Sequence, residues 1–371
     1  MKKRTKLILQ IGGCMILIGL CLAGIGIAAG GKNYVLHTDL NKLDGSATEE
    51  QYKLLEEKTE LGELQIIDVD LDNYDFEVRT STDEKYYLYY NLLSDSQKSG
   101  FSYEVEDGTF TLREKRESNG IVQVNIDFLV DVFGGNTSRK DKEETFILYV
   151  PEDSGLAVCK INMSNSDLSL NGITCDEIQI NLGYGGFTME NCSSKGGLIH
   201  LSDGNMKAAG NALTDMEISL NYGDMHLDGD SLSNVKIDMS DGNMKGTDIS
   251  LTNGEISLNY GSIYLDKSSL RNSRIEKSDG DLSADELKVL GDVTVESSYG
   301  DVSIKLKEAQ KDKISLDLGT AYGKIRMDDS FMETGFFSGE NRNYFKYVAS
   351  NEEGILEINA SDGDIEIGSC S

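Results

Sequence analysis

Proline is almost missing from these 371 residues: Pro151 is the only one. Tryptophan is absent, and histidine occurs only as His37, His200 and His226, none of them near a nucleophile motif. GxSxG and P-loop patterns are both lacking, which removes two sequence signs of hydrolase chemistry. There is no CxxC and no Cys/His cluster, so a structural zinc site is not expected. Cations are scarce as well, with 35 Lys and Arg against 64 Asp and Glu and a formal net charge of −29. A surface of that sign repels phosphate backbones, so DNA and RNA are excluded as partners. It also repels anionic lipid headgroups and wall polymers unless cations bridge them, and it attracts cationic partners.

What is present is glycine, 39 copies of it, together with many Asn and Asp. Turns built on these residues between short apolar stretches point to a β-rich protein. The cations are also unevenly placed. Lys2, Lys3, Arg4 and Lys6 precede an uncharged run from Leu7 to Ala29, whereas every acidic residue lies after residue 31. That run is long enough to cross a hydrocarbon core of about 30 Å as a helix. The basic tip predicts a cytoplasmic N-terminus, with the rest of the chain outside at a formal charge of −33. A cleaved signal peptide is the competing reading, but its apolar core would be shorter. The GxxxG spacing of Gly26 and Gly30 is read as ordinary glycine enrichment in a membrane helix. The predicted organisation is a basic tip at 1–6, a transmembrane helix at 7–29 and a linker with a short helix at 30–63. A β region at 64–160 then leads into repeats over 161–371.

The short helix rests on Ser46-Ala-Thr-Glu49, which has the form of a capping box, and on the charged stretch EEQYKLLEEKTEL that follows. From Leu64 the pattern changes to period-two alternation in LQIIDVDLDNYDFEV, KYYLYYNLL, FSYEVEDGTFTLRE, VQVNIDFLVDV and TFILYV. Asp107-Gly108 between two such runs marks a hairpin, and the polar stretch 134–144 an exposed loop. Beyond it small turn residues recur at Ser166, Gly185, Gly204, Gly223, Gly242, Gly261, Gly280 and Gly300, 19 residues apart and finally 20. Gly323 and Gly363 extend the series with insertions. Counting each Gly as zero, position +2 holds Met206, Met225, Met244, Ile263, Leu282 and Val302, and position +14 holds Ile218, Ile237, Ile256 and Ile275. One such unit cannot bury its apolar face alone, but a stack can, which is the logic of a solenoid. At about 4.8 Å per rung, the eight intervals from Ser166 to Gly323 span roughly 40 Å.

The longer phrase EISLNYG repeats after 38 residues, at 217–223 and 255–261, so a 38-residue coil is the alternative. Charge decides against it. Position +13 reads Glu217, Lys236, Glu255, Arg274, which stacks opposite signs in a 19-residue coil and like signs in a 38-residue one. Position −1 alternates in the same way: Asp203, Tyr222, Asp241, Tyr260, Asp279. The expected fold is therefore all-β, a single-stranded β-solenoid of about 19-residue rungs.

Function is less legible. Ser-Asp-Gly turns at 202–204, 240–242, 278–280 and 361–363 invite a calcium site, but each rung offers too few oxygens and the GGxGxDxUx repeat is absent. No cofactor is expected, only weak non-specific Ca²⁺ binding. Cys159, Cys175 and Cys192 leave a disulfide open. Lys277 interrupts the apolar column at +16. Tyr222, Tyr260 and Tyr299, with Tyr184 and Tyr322, form either a strip for sugars or peptides or a cover over the ends of the core. The insertion 328–347 gathers Phe331, Phe336, Phe337, Tyr344 and Phe345 with Arg342 and Lys346, and reads equally as a binding loop or as an end cap. The partner residues nominated are Tyr222, Tyr260, Tyr299, Phe336, Phe337, Tyr344 and Phe345.

TFILYVPEDSGLAVCKINMSNSDLSL at 145–170, followed by SDG-x-φ-x and YG-x-φ-x rungs, resembles the bacterial putative-adhesin family of toast-rack β-solenoids. The resemblance covers roughly 64–371. It implies the solenoid fold, a single membrane segment, and occurrence with cell-envelope stress-response systems. It carries no catalytic residues, because the family has no known catalytic motif. The chain departs from the commonest family rungs in using Ser-Asp-Gly and Asn-Tyr-Gly where Ser-Gly-Asp is usual. The expectation is a non-catalytic scaffold, outside the cell and held by a single-pass anchor to the bilayer, that meets cationic peptides or envelope proteins. A glycan-binding adhesin is the alternative, and a carbohydrate-active enzyme the third reading, although no carboxylate pair stands out.

Overall fold

The computed structural model describes residues 36–37, 53–94, 100–115, 124–125 and 144–370, apart from 153, 311, 333–334 and 340–342. Two compact units separate. In the smaller, Leu36–His37 pairs in parallel with Val124–Asn125. The larger holds the solenoid. The membrane segment 7–29, the capping box at Ser46 and the 134–143 part of the predicted loop lie outside the described residues. No described helix is long and apolar enough to cross a membrane.

The coil is 19 residues. Glu217 pairs in register with Lys236, Lys236 with Glu255, and Glu255 with Arg274, all in parallel. The side chains use this register loosely. Lys236 reaches along its own strand to Asp238 at 2.8 Å, and Arg274 takes Glu276 and, at 2.7 Å, Glu296. These pairs are exposed and contribute little to stability. One parallel face is made of four-residue strands such as Met206–Ala209, Met225–Asp228 and Met244–Thr247. The other carries strands such as Met216–Tyr222 and Lys236–Asp241. Alternation decides which residues point inward. The +2 column Phe187, Met206, Met225, Met244, Ile263 and the +14 column Ile199, Ile218, Ile237, Ile256, Ile275 are all buried.

Three corners close each coil. At the first, the glycine is obligatory: a Cβ on Gly242 would lie 2.0 Å from the Gly223 carbonyl oxygen, and one on Gly261 1.9 Å from that of Gly242. At the second, φ is positive whether the residue is Gly229, Asp248, Lys267 or Glu286. At the third, Asp215, Asn234, Asn253 and Asn272 also have positive φ. Their amides form a ladder, with Asn234 Nδ2 donating to Asp215 Oδ1 at 2.8 Å, and Asn253 and Asn272 continuing at 3.3 Å. Asn tolerates this backbone and hydrogen-bonds to its own kind in the next rung.

The order of coils in space is not their order in the chain. The final coil, Gly354–Asp362 and Ile365–Ser369, inserts between the Gly300 rung and the Gly323 rung. Val295 pairs with Ile358, and Ile358 in turn with Leu318. Val302 pairs with Ile365, and Ile365 with Ile325. The eight intervals expected from Ser166 to Gly323 therefore become nine. The start of the solenoid is built similarly. Ile66–Leu71 lies between Thr109–Glu114 and Leu156–Asn165, so the chain leaves its first coil, adds an outer layer, and returns on the other side.

Both ends finish in antiparallel strands. Phe101–Glu106 folds on Thr109–Glu114 through Asp107-Gly108, which has positive φ as the hairpin requires. Tyr86–Ser94 pairs antiparallel with Thr145–Val150. Lys53–Leu61, expected as a helix, is a strand beside Tyr86–Ser94. The physical reason is the strand edge on offer. Glu57 accepts from the Tyr90 hydroxyl, Lys58 lies over the Tyr87 and Tyr149 rings, and Leu61 packs on the core, whereas the apolar stripe for a helix was weak. At the far end, Tyr344–Tyr347 pairs antiparallel with Ile314–Thr320, and Phe336–Ser338 follows. Such caps cover the edges that an open solenoid would offer to other chains.

Candidate functional site

Because the first corner is glycine on every rung from Gly185 onward, with Ser166 alone before them, no large side chain rises from it, and the side chains before and after it leave a furrow along the stack. Position −1 forms one wall. Paired in register it reads Asn165, Tyr184, Asp203, Tyr222, Asp241, Tyr260, Asp279. Tyr299 follows on the next rung, in register with Asp362, and Tyr322 closes the row through its N–H to the Ser361 carbonyl at 3.1 Å. Tyrosine and aspartate thus alternate without a break from Tyr184 to Tyr322. The alternation survives only because the last coil is inserted: by chain order Tyr322 would have followed Tyr299. The five tyrosines are 60–85% exposed, so they do not cover the ends of the core.

Position +1 forms the other wall and is tied down. Asp224 N donates to Asn205 Oδ1 at 2.8 Å, and Asn243 N to Asp224 Oδ1 at 2.8 Å. Past Ser262 the series runs through Asp301 N to Asp281, Asp364 N to Asp301 and Lys324 N to Asp364, at 2.8–2.9 Å. Each side chain satisfies a backbone donor of the next rung. The Lys324 N–H, helped by Arg326 at 2.7 Å, holds the Asp364 carboxyl below the ordinary range. These acids are structural brackets rather than the cage a calcium ion needs. Among the described residues no group of three or more His, Cys, Asp or Glu is placed to hold a metal. Where the furrow meets the first coils it widens into a cleft of about 570 Å³ bounded by Asp75, Asp167, Tyr184, Asp203 and Lys207.

Of the nominated residues, Tyr222, Tyr260 and Tyr299 come together on the strip. The insertion residues do not join them. Phe345 is fully buried, so it is corrected from a partner contact to a core residue. Its ring meets Phe337, itself half-buried, at 4.9 Å. Phe331 is buried against Tyr347. Tyr344 is half-buried beside Asp317, which pushes its hydroxyl pKa up, and only Phe336 is largely exposed. Arg342 lies outside the described residues. The end-cap reading of 328–347 therefore holds for its buried rings. Sequence reasoning missed Asp362, although a signal existed. The Tyr–Asp alternation breaks between Tyr299 and Tyr322, and the one Ser-Asp-Gly rung able to restore it is 361–363.

The remaining singular residues are structural. Cys159, Cys175 and Cys192 are free thiols rather than a disulfide, and burial pushes the pKa of each up, Cys175 to about 12 and Cys192 to about 11. Lys277 is buried in its column, with Nζ donating to the Tyr299 carbonyl at 3.1 Å.

The Toastrack DUF4097 family profile matches residues 64–245 and, overlapping, 198–368. The chain belongs to the Toastrack family. Among curated proteins none matches it in sequence. Solved structures similar to this Toastrack chain include a putative cell adhesion protein from Clostridium sporogenes ATCC 15579. It is 15% identical, with 86% of this chain and 100% of that one covered and a TM-score of 0.20. A putative adhesin from Bacteroides fragilis NCTC 9343 is 13% identical, covering 85% and 97% at a TM-score of 0.28. A putative lipid binding protein from Parabacteroides distasonis ATCC 8503 is 12% identical, covering 86% and 97% at 0.40. At these values no ligand or role passes from them to this Toastrack chain.

Proposed function

We propose that the protein is a non-catalytic binding scaffold of the bacterial cell envelope whose first-corner furrow receives cationic agents such as cationic peptides. The observation that carries this is the unbroken, exposed alternation of Tyr and Asp on a rigid edge, in a chain of net charge −29. Tyrosine faces attract cations through their ring quadrupoles, and the interleaved carboxylates add Coulomb attraction. The proposal also places a helix over 7–29 in the bilayer with the solenoid outside. Support comes from the four cations preceding an uncharged run. A part in envelope-stress response is its finest element, tested by whether cationic-peptide challenge raises expression of the gene.

The direct test titrates the full-length chain in detergent with a cationic peptide at low and moderate salt. Binding that weakens with salt, and weakens again when Tyr222, Tyr260 and Tyr299 become Ala, is the expected result. No binding at either salt overturns the proposal. A glycan adhesin is the second reading, favoured by the same row of exposed rings, which could stack on sugar faces. Protease shaving of intact cells tests the topology: the solenoid is cut only if it faces outward.

A further inference from the structure

We infer that the furrow is a docking track for an extended polyproline-II segment carrying Lys or Arg at every third residue. This rests on the cationic-partner reading and names the conformation and spacing of that partner.

The inference comes from pitch. Each rung advances the stack by about 4.8 Å, so tyrosines on alternate rungs recur every ~9.6 Å, and so do the aspartates between them. A ligand engaging the strip at several points must repeat its cations at that interval. A polyproline-II helix rises 3.1 Å per residue with three residues per turn, so equivalent side chains recur every ~9.3 Å. The mismatch is ~0.3 Å per repeat and accumulates to only about 1.2 Å over the four intervals from Tyr184 to Tyr322. A β-strand presents same-face side chains every ~6.7 Å and falls out of step at the first repeat. An α-helix repeats a face after seven residues, at ~10.5 Å, and drifts by nearly 4 Å over the same length. Adding a strand to the sheet is not an option here, because the backbone groups at this corner are already used between rungs: Gly223 N donates to Asp241 O and Gly242 N to Tyr260 O.

Charge and surface chemistry point the same way. Each Asp of the strip, such as Asp241 between Tyr222 and Tyr260, stands between two tyrosines in the ladder. A cation over it can meet a carboxylate and flanking ring faces together. The two ligand residues between cations lie along the glycine floor, where no side chain obstructs them, and proline rings pack well on tyrosine. Lys324 stands at position +1 on the opposite wall, and Lys207 and Lys245 lie beyond it at position +3, but the aspartates of the two walls outnumber these basic residues. A polyproline-II segment is also ordered before it binds, so less entropy is lost on docking.

The test compares two peptides of identical composition on the full-length protein in detergent at moderate salt. One has five Pro-Pro-Arg triplets; in the other the five Arg are consecutive. The phased peptide is expected to bind at least about tenfold more tightly. Asp241→Asn with Asp279→Asn is expected to lower its affinity about tenfold and the clustered peptide's less. Equal affinity for the two peptides overturns the track while leaving a cation-binding scaffold intact. Failure of both peptides to bind overturns both. Binding of neutral chito-oligosaccharides with no peptide binding also overturns both, and transfers the strip to the adhesin reading. Circular dichroism of each variant separates lost binding from lost fold.

Discussion

Tyr299 lies in register with Asp362, a residue from the last coil of the chain, rather than beside the next tyrosine in the sequence. This one pairing keeps the outer edge of the solenoid in strict alternation, and it makes the chain's final segment an internal rung.

An internal rung cannot be trimmed like a terminal repeat. Stacked repeats normally lose an end unit at the cost of one interface. Here, deleting 354–370 removes the rung itself and with it two interfaces, the Val295–Ile358 and Ile358–Leu318 contacts. Hydrogen exchange is expected to show loss of protection across 314–347 together with 291–306, while strands such as Lys236–Asp241 stay protected. Continued protection of 314–320 would contradict the interleaved order.

The first and second corners should respond differently to the same substitution. Gly242→Ala places a Cβ against the Gly223 carbonyl, and an expected loss of more than about 3 kcal/mol combines that clash with an unfavourable backbone. Gly229 also has positive φ, but nothing lies within 4 Å of its would-be Cβ. Gly229→Ala should therefore lose only about 1 kcal/mol, and Gly229→Asn less. Urea titration of the three variants checks the ranking.

Lys277→Met should stabilise the protein by about 1–2 kcal/mol at neutral pH, since it replaces a buried ammonium with an apolar side chain beneath Leu258. Burial pushes the Lys277 pKa below its ordinary 10.5, with Asp281 and Asp279 opposing. The folded state therefore releases this proton at lower pH than the unfolded chain. The penalty is full below the folded pKa and fades as pH rises towards 10.5. The gain from Lys277→Met should shrink over that alkaline window, measured by denaturant titration at several pH values.

The end cap offers a paired control. Phe345→Ala empties a fully buried site against Phe337 and should lose about 3–5 kcal/mol. Phe336→Ala, on an exposed ring, should change stability by less than about 0.5 kcal/mol. Thermal unfolding of both variants tells them apart.

Much of the fold was legible because a solenoid repeats one local rule. The glycine period, the +2 and +14 columns and the sign alternation of Glu217, Lys236, Glu255 and Arg274 sufficed to choose a 19-residue coil over a 38-residue one. Each is a nearest-neighbour property, readable wherever sequence neighbours are also spatial neighbours. The helix expected at 49–61 failed for the complementary reason. Its described part, Lys53–Leu61, is a strand because Tyr86–Ser94 offers an edge, and no local pattern records that partner.

The sequence by itself determined the coil length, the inward faces and the need for glycine at the first corner. These follow from period-two alternation and from the absence of room for a Cβ. Tertiary structure alone decided the order of the outer coils, the burial of Phe345, and the place of Asp362 between Tyr299 and Tyr322. Chain order does not dictate stacking order where a long connection lets a coil return. At those ends, edge pairing and burial of the core select which rung lies next to which, and with it the continuity of the candidate binding edge.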